Sequence, residues 1–296
     1  MVFFFIFITM LPQDLLDYLS NLIESKINKV QSVSGGDISS TFFLQAGTKK
    51  LFLKINSKKD ALDMFLSEEK ALNTIAKTNT IAVPKVLTCN TYTKNSFILM
   101  EYINAKSPKT IELELFGLQL AQLHQITSNE FGFDSDNFIG SLHQSNKKHG
   151  NWNDFYIEER LVPQLQLAKS KRLLSDSEIP EKNFMKEICH NFFNTVKPSL
   201  LHGDLWSGNY LISKDGTPFL IDPSTYFGHN EIDIAMSKLF GGFRSSFYDA
   251  YHEIIPKDRY TNIRIELYQL YYLLVHLNLF GRSYYSSVKC ILNKYF

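Results

Sequence analysis

The sequence predicts an α+β fold of two lobes, in which an N-terminal lobe built on an antiparallel sheet precedes a mainly helical C-terminal lobe. Strand-like apolar runs separated by short polar turns are concentrated before residue 104, and helical periodicity dominates after it. The chain of 296 residues is 44% hydrophobic, which is enough to bury a sizeable core. We therefore predict an N-lobe over residues 1–103 and a C-lobe over residues 104–296.

The N-lobe prediction follows from the spacing of its apolar residues. Leucines and isoleucines recur at helical spacing near the start of the chain and again after the third strand, whereas the runs between them alternate with turns. The predicted helices cover residues 11–27 and 61–76, and the predicted strands cover residues 30–33, 41–44, 51–55, 83–87 and 97–103. Residues 104–110, which are polar and contain Pro108, are the predicted linker to the C-lobe.

Bulk charge and cysteine usage exclude several classes of protein. Thirty-one basic and thirty acidic residues give a net charge of +1, which is not the pattern of a general nucleic-acid binder. The three cysteines never stand in a CxxC spacing, so we expect neither a disulfide framework nor a zinc site, and we expect a reducing cytoplasm. The apolar first ten residues lack basic residues and are too short to cross a bilayer, so we expect no membrane association. Nothing in the sequence pattern demands a partner chain, so we expect a monomer.

The most informative stretch carries three oxygen-bearing side chains in a fixed order. Asp204 and Asn209 belong to the string HGDLWSGN, and Asp222 follows an apolar run that predicts a hairpin. Kinase-type phosphoryl transfer needs a carboxylate base for the acceptor hydroxyl, and an amide and a second carboxylate to hold Mg²⁺ against the ATP phosphates. We assign the base to Asp204 and the metal ligands to Asn209 and Asp222. Each of these residue types is also common at helix caps and turns.

A second group of residues suits the phosphates of ATP. Lys54 lies inside a predicted central strand, where a lysine is costly unless it is paired with an opposite charge. Glu68 is the predicted partner, because it lies beside the apolar stripe of the following helix, whereas Glu69 points toward solvent. Lys54 with Glu68 is therefore predicted to position the phosphates.

Two further segments complete the predicted nucleotide site. Gly35 and Gly36 occupy the place of a phosphate-covering loop, although a Gly-Gly turn alone is usually only a turn. Glu101 and Ile103 would offer a backbone carbonyl and amide to adenine, unless their segment is an ordinary buried strand. Loop, lysine, glutamate, hinge, base, asparagine and aspartate follow one another in the order of a protein-kinase-like fold.

With these residues in place, the chain resembles the fructosamine kinase (ketosamine-3-kinase) family, a branch of the aminoglycoside and choline kinase group. The resemblance covers nearly the whole chain. It rests first on HGDLWSGN at residues 202–209, which is specific within the group because choline and aminoglycoside kinases usually lack the tryptophan. Further matches are NFIG at 137–140, WNDFY at 152–156, Arg160 with Leu161, DP at 222–223, YFGHNEID at 226–233 and LFGGF at 239–243.

The resemblance implies ATP- and Mg²⁺-dependent phosphorylation of the 3-hydroxyl of a ketosamine, such as a ribulosamine or fructosamine, followed by decomposition that frees the amine. It places Trp206 at the sugar, and an indole face is also suited to stacking on a sugar ring. Trp206 could equally be a core residue. Glu231 and Asp233 resemble family positions as well, and we expect both to brace the catalytic loop.

Two other functions remain open from the sequence. A kinase for another small alcohol, of the aminoglycoside or choline type, would be favoured if Asp154, Glu158 and Glu159 faced a cationic substrate rather than solvent. A catalytically dead nucleotide-binding scaffold would normally have lost the base or a metal ligand, whereas this chain retains both.

Overall fold

The structure is a computed structural model that describes residues 11–33, 38–193 and 196–296. The predicted phosphate-loop glycines, Gly35 and Gly36, and the apolar first ten residues lie outside the described residues. The chain divides into two compact units, one comprising Met1–Glu69 with Pro84–Asn104 and the other Lys70–Val83 with Ala105–Phe296. The sequence-based lobe boundary between residues 103 and 104 stays a prediction.

The first unit is built on one antiparallel sheet of five strands in the order β1-β2-β3-β5-β4. Its strands are β1 (Lys29–Ser32), β2 (Ser40–Ala46), β3 (Lys49–Asn56), β4 (Val86–Tyr92) and β5 (Asn95–Glu101). Helix α1 (Gln13–Leu22) precedes the sheet, and helix α2 (Ala61–Ala76) follows β3 and crosses the boundary between the two units. The central position of β3 means that both of its edges are paired.

Helix α1 covers one face of this sheet with its apolar stripe. Leu15 and Leu19, one turn apart, join a buried cluster with alternating strand residues such as Leu51 and Leu53. The predicted extension of α1 to residue 27 is wrong: Glu24 has φ of 52°, a left-handed conformation that cannot continue the helix. The predicted strand at residues 83–87 is likewise displaced, since β4 begins only at Val86.

The second unit is mainly helical. Its helices are α3 (Thr110–His124), α4 (Trp152–Phe155), α5 (Val162–Ser170), α6 (Lys182–His190), α7 (Glu231–Leu239), α8 (Ser245–Ile254), α9 (Thr261–Phe280) and α10 (Tyr285–Tyr295). Its short strands are β6 (Ala105–Lys106), β7 (Asn137–Ile139), β8 (Leu142–Gln144), β9 (Ser199–Leu200), β10 (Tyr210–Ser213), β11 (Pro218–Leu220) and β12 (Phe227–Gly228). A π-helical segment, Tyr156–Leu161, joins α4 to α5, and two short 3₁₀ turns, Asp176–Glu178 and Arg282–Tyr284, lie before α6 and α10.

The predicted linker at residues 104–110 contains a short strand. Ala105 and Lys106 form β6, which pairs antiparallel with Ser213 and Ile212 of β10. Lys106 also pairs with Glu112 in the first turn of α3, with 2.6 Å between Nζ and Oε1. Two residues of this polar segment therefore have a strand partner, which its composition did not indicate.

Helix α9 is the central element of the second unit. Its leucines and tyrosines are buried around most of its circumference, which is typical of a helix enclosed by others rather than one lying on a surface. Among the described residues, no helix combines the length and apolarity needed to cross a membrane. The three cysteines are free thiols.

Candidate active site

The predicted base and first metal ligand lie in one tight turn between β9 and β10. The Asn209 side chain donates from Nδ2 to the Asp204 backbone carbonyl at 2.8 Å and to the Asp204 carboxylate at 3.1 Å. As predicted, β10 and β11 form an antiparallel hairpin, and the Ile221 amide donates to the Asn209 carbonyl at 3.1 Å. This hairpin returns the chain to the turn immediately before Asp222.

The Asp204 carboxyl group has a raised pKa. Burial raises its pKa to about 7, and the neighbouring Asp222 carboxylate adds to the increase, whereas the hydrogen bond from Asn209 opposes it. A carboxyl group with a pKa near neutrality combines a substantial ionised fraction with enough basicity to accept a proton. The position of Asp204 therefore suits proton abstraction better than an ordinary surface carboxylate would.

His202 ties together two segments of the backbone around this turn. Its Nε2 donates to the Ile221 carbonyl at 2.8 Å, and its Nδ1 accepts from the Asp204 amide at 3.2 Å. Both ring nitrogens are thus engaged in the neutral tautomer, and burial lowers the pKa of the imidazole. The ring links the base to the segment that carries Asp222.

Asp233, at the start of α7, supports the same turn through hydrogen bonds. Its carboxylate accepts from the amides of His202 and Gly203, both at 2.8 Å. It is completely buried, yet hydrogen bonds and the nearby imidazoles hold the pKa of its carboxyl group below the ordinary value. These contacts agree with the expectation that Asp233 braces the catalytic loop. Glu231 instead pairs with Arg264 and Thr261 of α9, so it supports the helix packing and not the turn.

Two residues that the sequence analysis did not single out orient Asp233. His124, at the end of α3, donates from Nε2 to Asp233 at 3.0 Å. The other ring nitrogen of His124, Nδ1, lies 2.8 Å from the Tyr251 hydroxyl oxygen. A histidine at the end of an apolar helix was a detectable signal, but its partner is 109 residues away and no local pattern identifies it.

Gly203 is required by the backbone at the centre of the turn. It has φ of 87°, and a Cβ atom there would lie 2.2 Å from the Ser224 carbonyl oxygen. Its own carbonyl accepts from the Tyr272 hydroxyl of α9 at 2.8 Å, a contact that the sequence analysis also missed. The close approach brings the segment after Asp222 against the residue before Asp204.

Asn209 and Asp222 provide the donor set that Mg²⁺ prefers. Asn209 uses its Nδ2 on Asp204, so its amide oxygen points away from the base and remains available as a ligand. Asp222 adopts φ of 54°, an uncommon conformation for a residue that is not glycine. An amide oxygen and a carboxylate are hard oxygen ligands, so these residues fit the ion that the sequence analysis assigned to them.

In the first unit, the predicted charge pair is formed. Lys54 in β3 contacts Glu68 in α2, with 2.8 Å between Nζ and Oε1, and both side chains are less than 15% exposed. The neighbouring Glu69 is partly exposed. A lysine held in a paired, largely buried position presents a fixed charge, which is the property needed to orient a phosphate group.

The predicted adenine segment lies at the end of β5, where the chain leaves the sheet. The Glu101 amide donates to the Lys85 carbonyl at 2.9 Å, and the Tyr102 amide donates to the Lys50 carbonyl at 3.1 Å. Ile103 is buried. The proposed adenine contacts, the Glu101 carbonyl and the Ile103 amide, remain predictions.

Trp206 is not a core residue. Its side chain is 38% exposed, in contrast to the other tryptophan, Trp152, which is 2% exposed and donates from its indole nitrogen to Tyr268 at 2.9 Å. Trp206 belongs to the same turn as Asp204 and accepts the amide hydrogen of Asn209 at its carbonyl, at 2.9 Å. An exposed indole beside the base is consistent with the sugar-binding role that remains a prediction.

The acidic cluster that could have received a cationic substrate is neutralised by lysines of the protein. Lys186 contacts Asp154 and Glu158 at 2.5 and 2.7 Å, and Lys182 contacts Glu158 at 3.2 Å. Glu159 contacts His149 at 2.8 Å. These partners remove the main sequence-based reason for an amine site at this position.

Comparisons with known proteins agree with this geometry. The model of a protein family described as fructosamine kinase matches residues 13–296. The chain is 39% identical over 277 residues to the chloroplastic protein-ribulosamine 3-kinase of Arabidopsis thaliana, covering 92% of this chain and 83% of that protein. Similarity of this extent shows common family membership.

Solved structures support both the family and the fold. A crystal structure from Haemophilus somnus 129PT, provisionally named a fructosamine-3-kinase, superposes with a TM-score of 0.86 at 31% identity, covering 95% of this chain and 96% of that one. The aminoglycoside phosphotransferase APH(4)-Ia superposes with a TM-score of 0.62 at 15% identity, covering 94% and 98%, which shows the shared protein-kinase-like fold. The chain therefore belongs to the fructosamine kinase family of phosphotransferases.

Proposed function

We propose that this protein is an ATP-dependent kinase that phosphorylates the 3-hydroxyl of ketosamines, as a step in deglycation. The observation that carries the proposal is the turn at residues 202–209, in which Asn209 donates from Nδ2 to the Asp204 carboxylate at 3.1 Å, in a chain that the fructosamine kinase family model matches over residues 13–296. Phosphorylation at O3 makes the ketosamine prone to decompose and release its amine, which links kinase chemistry to the removal of a sugar.

The proposed reaction uses Asp204 as the proton acceptor. The 3-hydroxyl oxygen attacks the γ-phosphorus of ATP while its proton passes to the Asp204 carboxylate. A new P–O bond forms as the bond between the γ-phosphorus and the β,γ-bridging oxygen breaks, and ADP leaves. Asn209 and Asp222 would hold Mg²⁺, which neutralises charge on the phosphates when it is bound.

The remaining proposed roles concern ATP and the sugar. Lys54, held by Glu68, would position the phosphates, and Glu101 with Ile103 would contact adenine through backbone groups. Trp206 would contact the sugar with its exposed indole face. Each of these functions is inferred from the order of the motifs and from the local contacts described above.

Two names among the relatives support the choice of acceptor. The Arabidopsis relative is named a protein-ribulosamine 3-kinase, and the Haemophilus structure carries the name fructosamine-3-kinase. Both names specify a ketosamine and position 3. The aminoglycoside phosphotransferase supports only the fold at 15% identity, so the alternative of an aminoglycoside or choline acceptor has no comparable support.

The proposal is tested by measuring ATP consumption with Mg²⁺ against a panel of acceptors. The panel contains ribulosamine- and fructosamine-modified lysine, an aminoglycoside, choline and a control without acceptor. We expect turnover with the two ketosamines alone. Turnover only with choline or the aminoglycoside would reject the ketosamine proposal, and nucleotide binding without any turnover would favour a scaffold.

A further inference from the structure

The two tryptophans of the chain have opposite environments. Trp152 is enclosed by the aromatic rings of the second unit, including Phe155 at 5.5 Å and Tyr268 at 6.0 Å between ring centroids. Trp206 lies in the exposed part of the catalytic turn, and both following residues are exposed as well. Its orientation must therefore be set by the turn itself and not by a surrounding core.

The contact that sets this orientation is with Gly208. A Cβ atom added at Gly208 would lie 2.4 Å from both Cη2 and Cζ2 of the Trp206 indole and 2.9 Å from Cε2. Such distances are far inside van der Waals contact, so the indole packs directly on the glycine at a place where any side chain would collide with it. The six-membered part of the ring therefore lies across the backbone of residue 208.

The reason for glycine here is space and not backbone conformation. Gly208 lies outside the left-handed φ region, unlike Gly203, so an alanine fits its backbone. The three atoms nearest to the added Cβ all belong to the exposed Trp206 side chain, which can rotate away. Replacing Gly208 should thus move the indole while leaving the rest of the turn in place.

We propose that Gly208 is a specificity-determining positioning residue, which holds the Trp206 indole flat across the catalytic turn so that its free face receives the sugar of the ketosamine. The inference rests on the proposed function, because it takes the ketosamine as the acceptor. Asn209 also links Trp206 to Asp204. Its backbone amide donates to the Trp206 carbonyl, and its side chain donates to the Asp204 carboxylate. Without the glycine, the Trp206 indole would be displaced, while Asp204 and Asn209 would stay in position.

The principal experiment compares Gly208→Ala with Gly150→Ala. Gly150 is a matched control, because an added Cβ there meets no atom within 4 Å and its φ is not left-handed. With ribulosamine-modified lysine, we expect the KM of Gly208→Ala for the ketosamine to rise roughly five- to tenfold, as lost aromatic contacts of this kind do. The KM for ATP should stay within about twofold of wild type, and the control should match wild type for both substrates.

A double-mutant comparison isolates the effect of the glycine on the tryptophan. In a Trp206→Ala background, Gly208→Ala should cause no further rise in the ketosamine KM, because the group that collides with the new methyl is gone. An equal rise in both backgrounds would overturn the inference and assign the effect to the backbone of the turn. Circular dichroism of each variant verifies that it is folded.

A measurement on the wild-type protein provides a test that needs no variant. Acrylamide quenches exposed tryptophans, and Trp152 is shielded, so the quenched fluorescence belongs to Trp206. Saturating ribulosamine-modified lysine should reduce this quenching, whereas ATP alone should not. Unchanged quenching at a ketosamine concentration that saturates turnover would overturn the inference. Absence of ketosamine turnover in wild type would instead reject the proposed function.

Discussion

Two acidic regions of the second unit contain the same kinds of side chain and have opposite properties. In the catalytic turn, burial and the Asp222 carboxylate raise the pKa of Asp204 to about 7. In the π-helical segment, hydrogen bonds from Lys186 and then Lys182 lower the pKa of Glu158 to about 2. The pKa of the first carboxyl group suits the proton-accepting role proposed for it, whereas the second is an ionised partner of two lysines.

This difference shows that acidic residues become candidates for catalysis through what surrounds them. The Asp204 carboxylate accepts a hydrogen bond from the Asn209 side-chain amide, and the nearby Asp222 carboxylate carries a charge of the same sign. Around Glu158 the nearest charges are opposite in sign. A charge pair of this second kind stabilises an ionised group at every working pH and leaves it no role as a base.

The largest expected effect comes from removing the base. Asp204→Asn keeps the size of the side chain and removes its proton affinity, so kcat should fall by about a thousandfold or more. Binding of ATP, measured by isothermal titration calorimetry, should stay within a few-fold of wild type. Glu158→Gln is the matched control and should retain full turnover. Loss of activity in Glu158→Gln, or retention of activity in Asp204→Asn, would contradict the claim that Asp204 and not Glu158 acts as the base.

A smaller effect is expected from the residue that braces the turn. Asp233→Asn removes the charge that accepts from the His202 and Gly203 amides and from His124, so the stability of the fold should drop by about 3 kcal/mol. The turn should also lose its fixed geometry, and kcat should fall roughly tenfold to a hundredfold at a temperature where the variant is still folded.

The control for this prediction is Asp154→Asn, at a carboxylate that is 45% exposed in its ion pair with Lys186. Denaturant unfolding and steady-state kinetics are measured on both variants. We expect Asp154→Asn to change the free energy of unfolding by less than about 1 kcal/mol. Equal losses in the two variants would show that Asp233 has no special connection to the catalytic turn.

The smallest effect is a pH dependence of stability at Glu158. Because its folded-state pKa is lowered from 4.5 to about 2, its ion pairs stabilise the fold fully above pH 4.5, and this contribution is lost as the pH falls from 4.5 toward 2. The difference in unfolding free energy between wild type and Glu158→Gln should be below about 1 kcal/mol at pH 7 and should shrink over that window. A difference that grows on acidification would contradict the assigned cause.

The sequence predicts the local parts of this architecture well because they depend on spacing. The helix at residues 61–76 and the hairpin before Asp222 both follow from short-range apolar patterns, and the structure contains both. Lys54 was paired with Glu68 correctly because helical periodicity distinguishes it from Glu69, and the two atoms lie 2.8 Å apart. The family resemblance rests likewise on a local string, residues 202–209, and the family comparisons confirm it.

What the sequence did not predict depends on contacts between distant residues. The strand partner of residues 105–106 lies more than 100 positions along the chain, so the sequence did not indicate that the predicted linker contains a strand. Tyr272 contacts the catalytic turn directly, whereas His124 contacts Asp233 and Tyr251 contacts His124. These three residues come from three different helices, and nothing near them in sequence indicates the contacts. Glu231 and Asp233 were both expected to brace the catalytic loop. In the folded unit Asp233 contacts the loop, whereas Glu231 contacts Arg264, and their neighbouring positions in the sequence do not distinguish these partners.

The most direct test of the proposed reaction is to locate the phosphate in its product. Ribulosamine-modified lysine is incubated with ATP, Mg²⁺ and the wild-type protein, and the product is analysed by two-dimensional ¹H–³¹P NMR. We predict a phosphorus signal coupled to the proton on carbon 3 of the ribulosamine, followed by release of free lysine. A phosphate on any other oxygen, or hydrolysis of ATP without a phosphorylated sugar, would contradict the proposal.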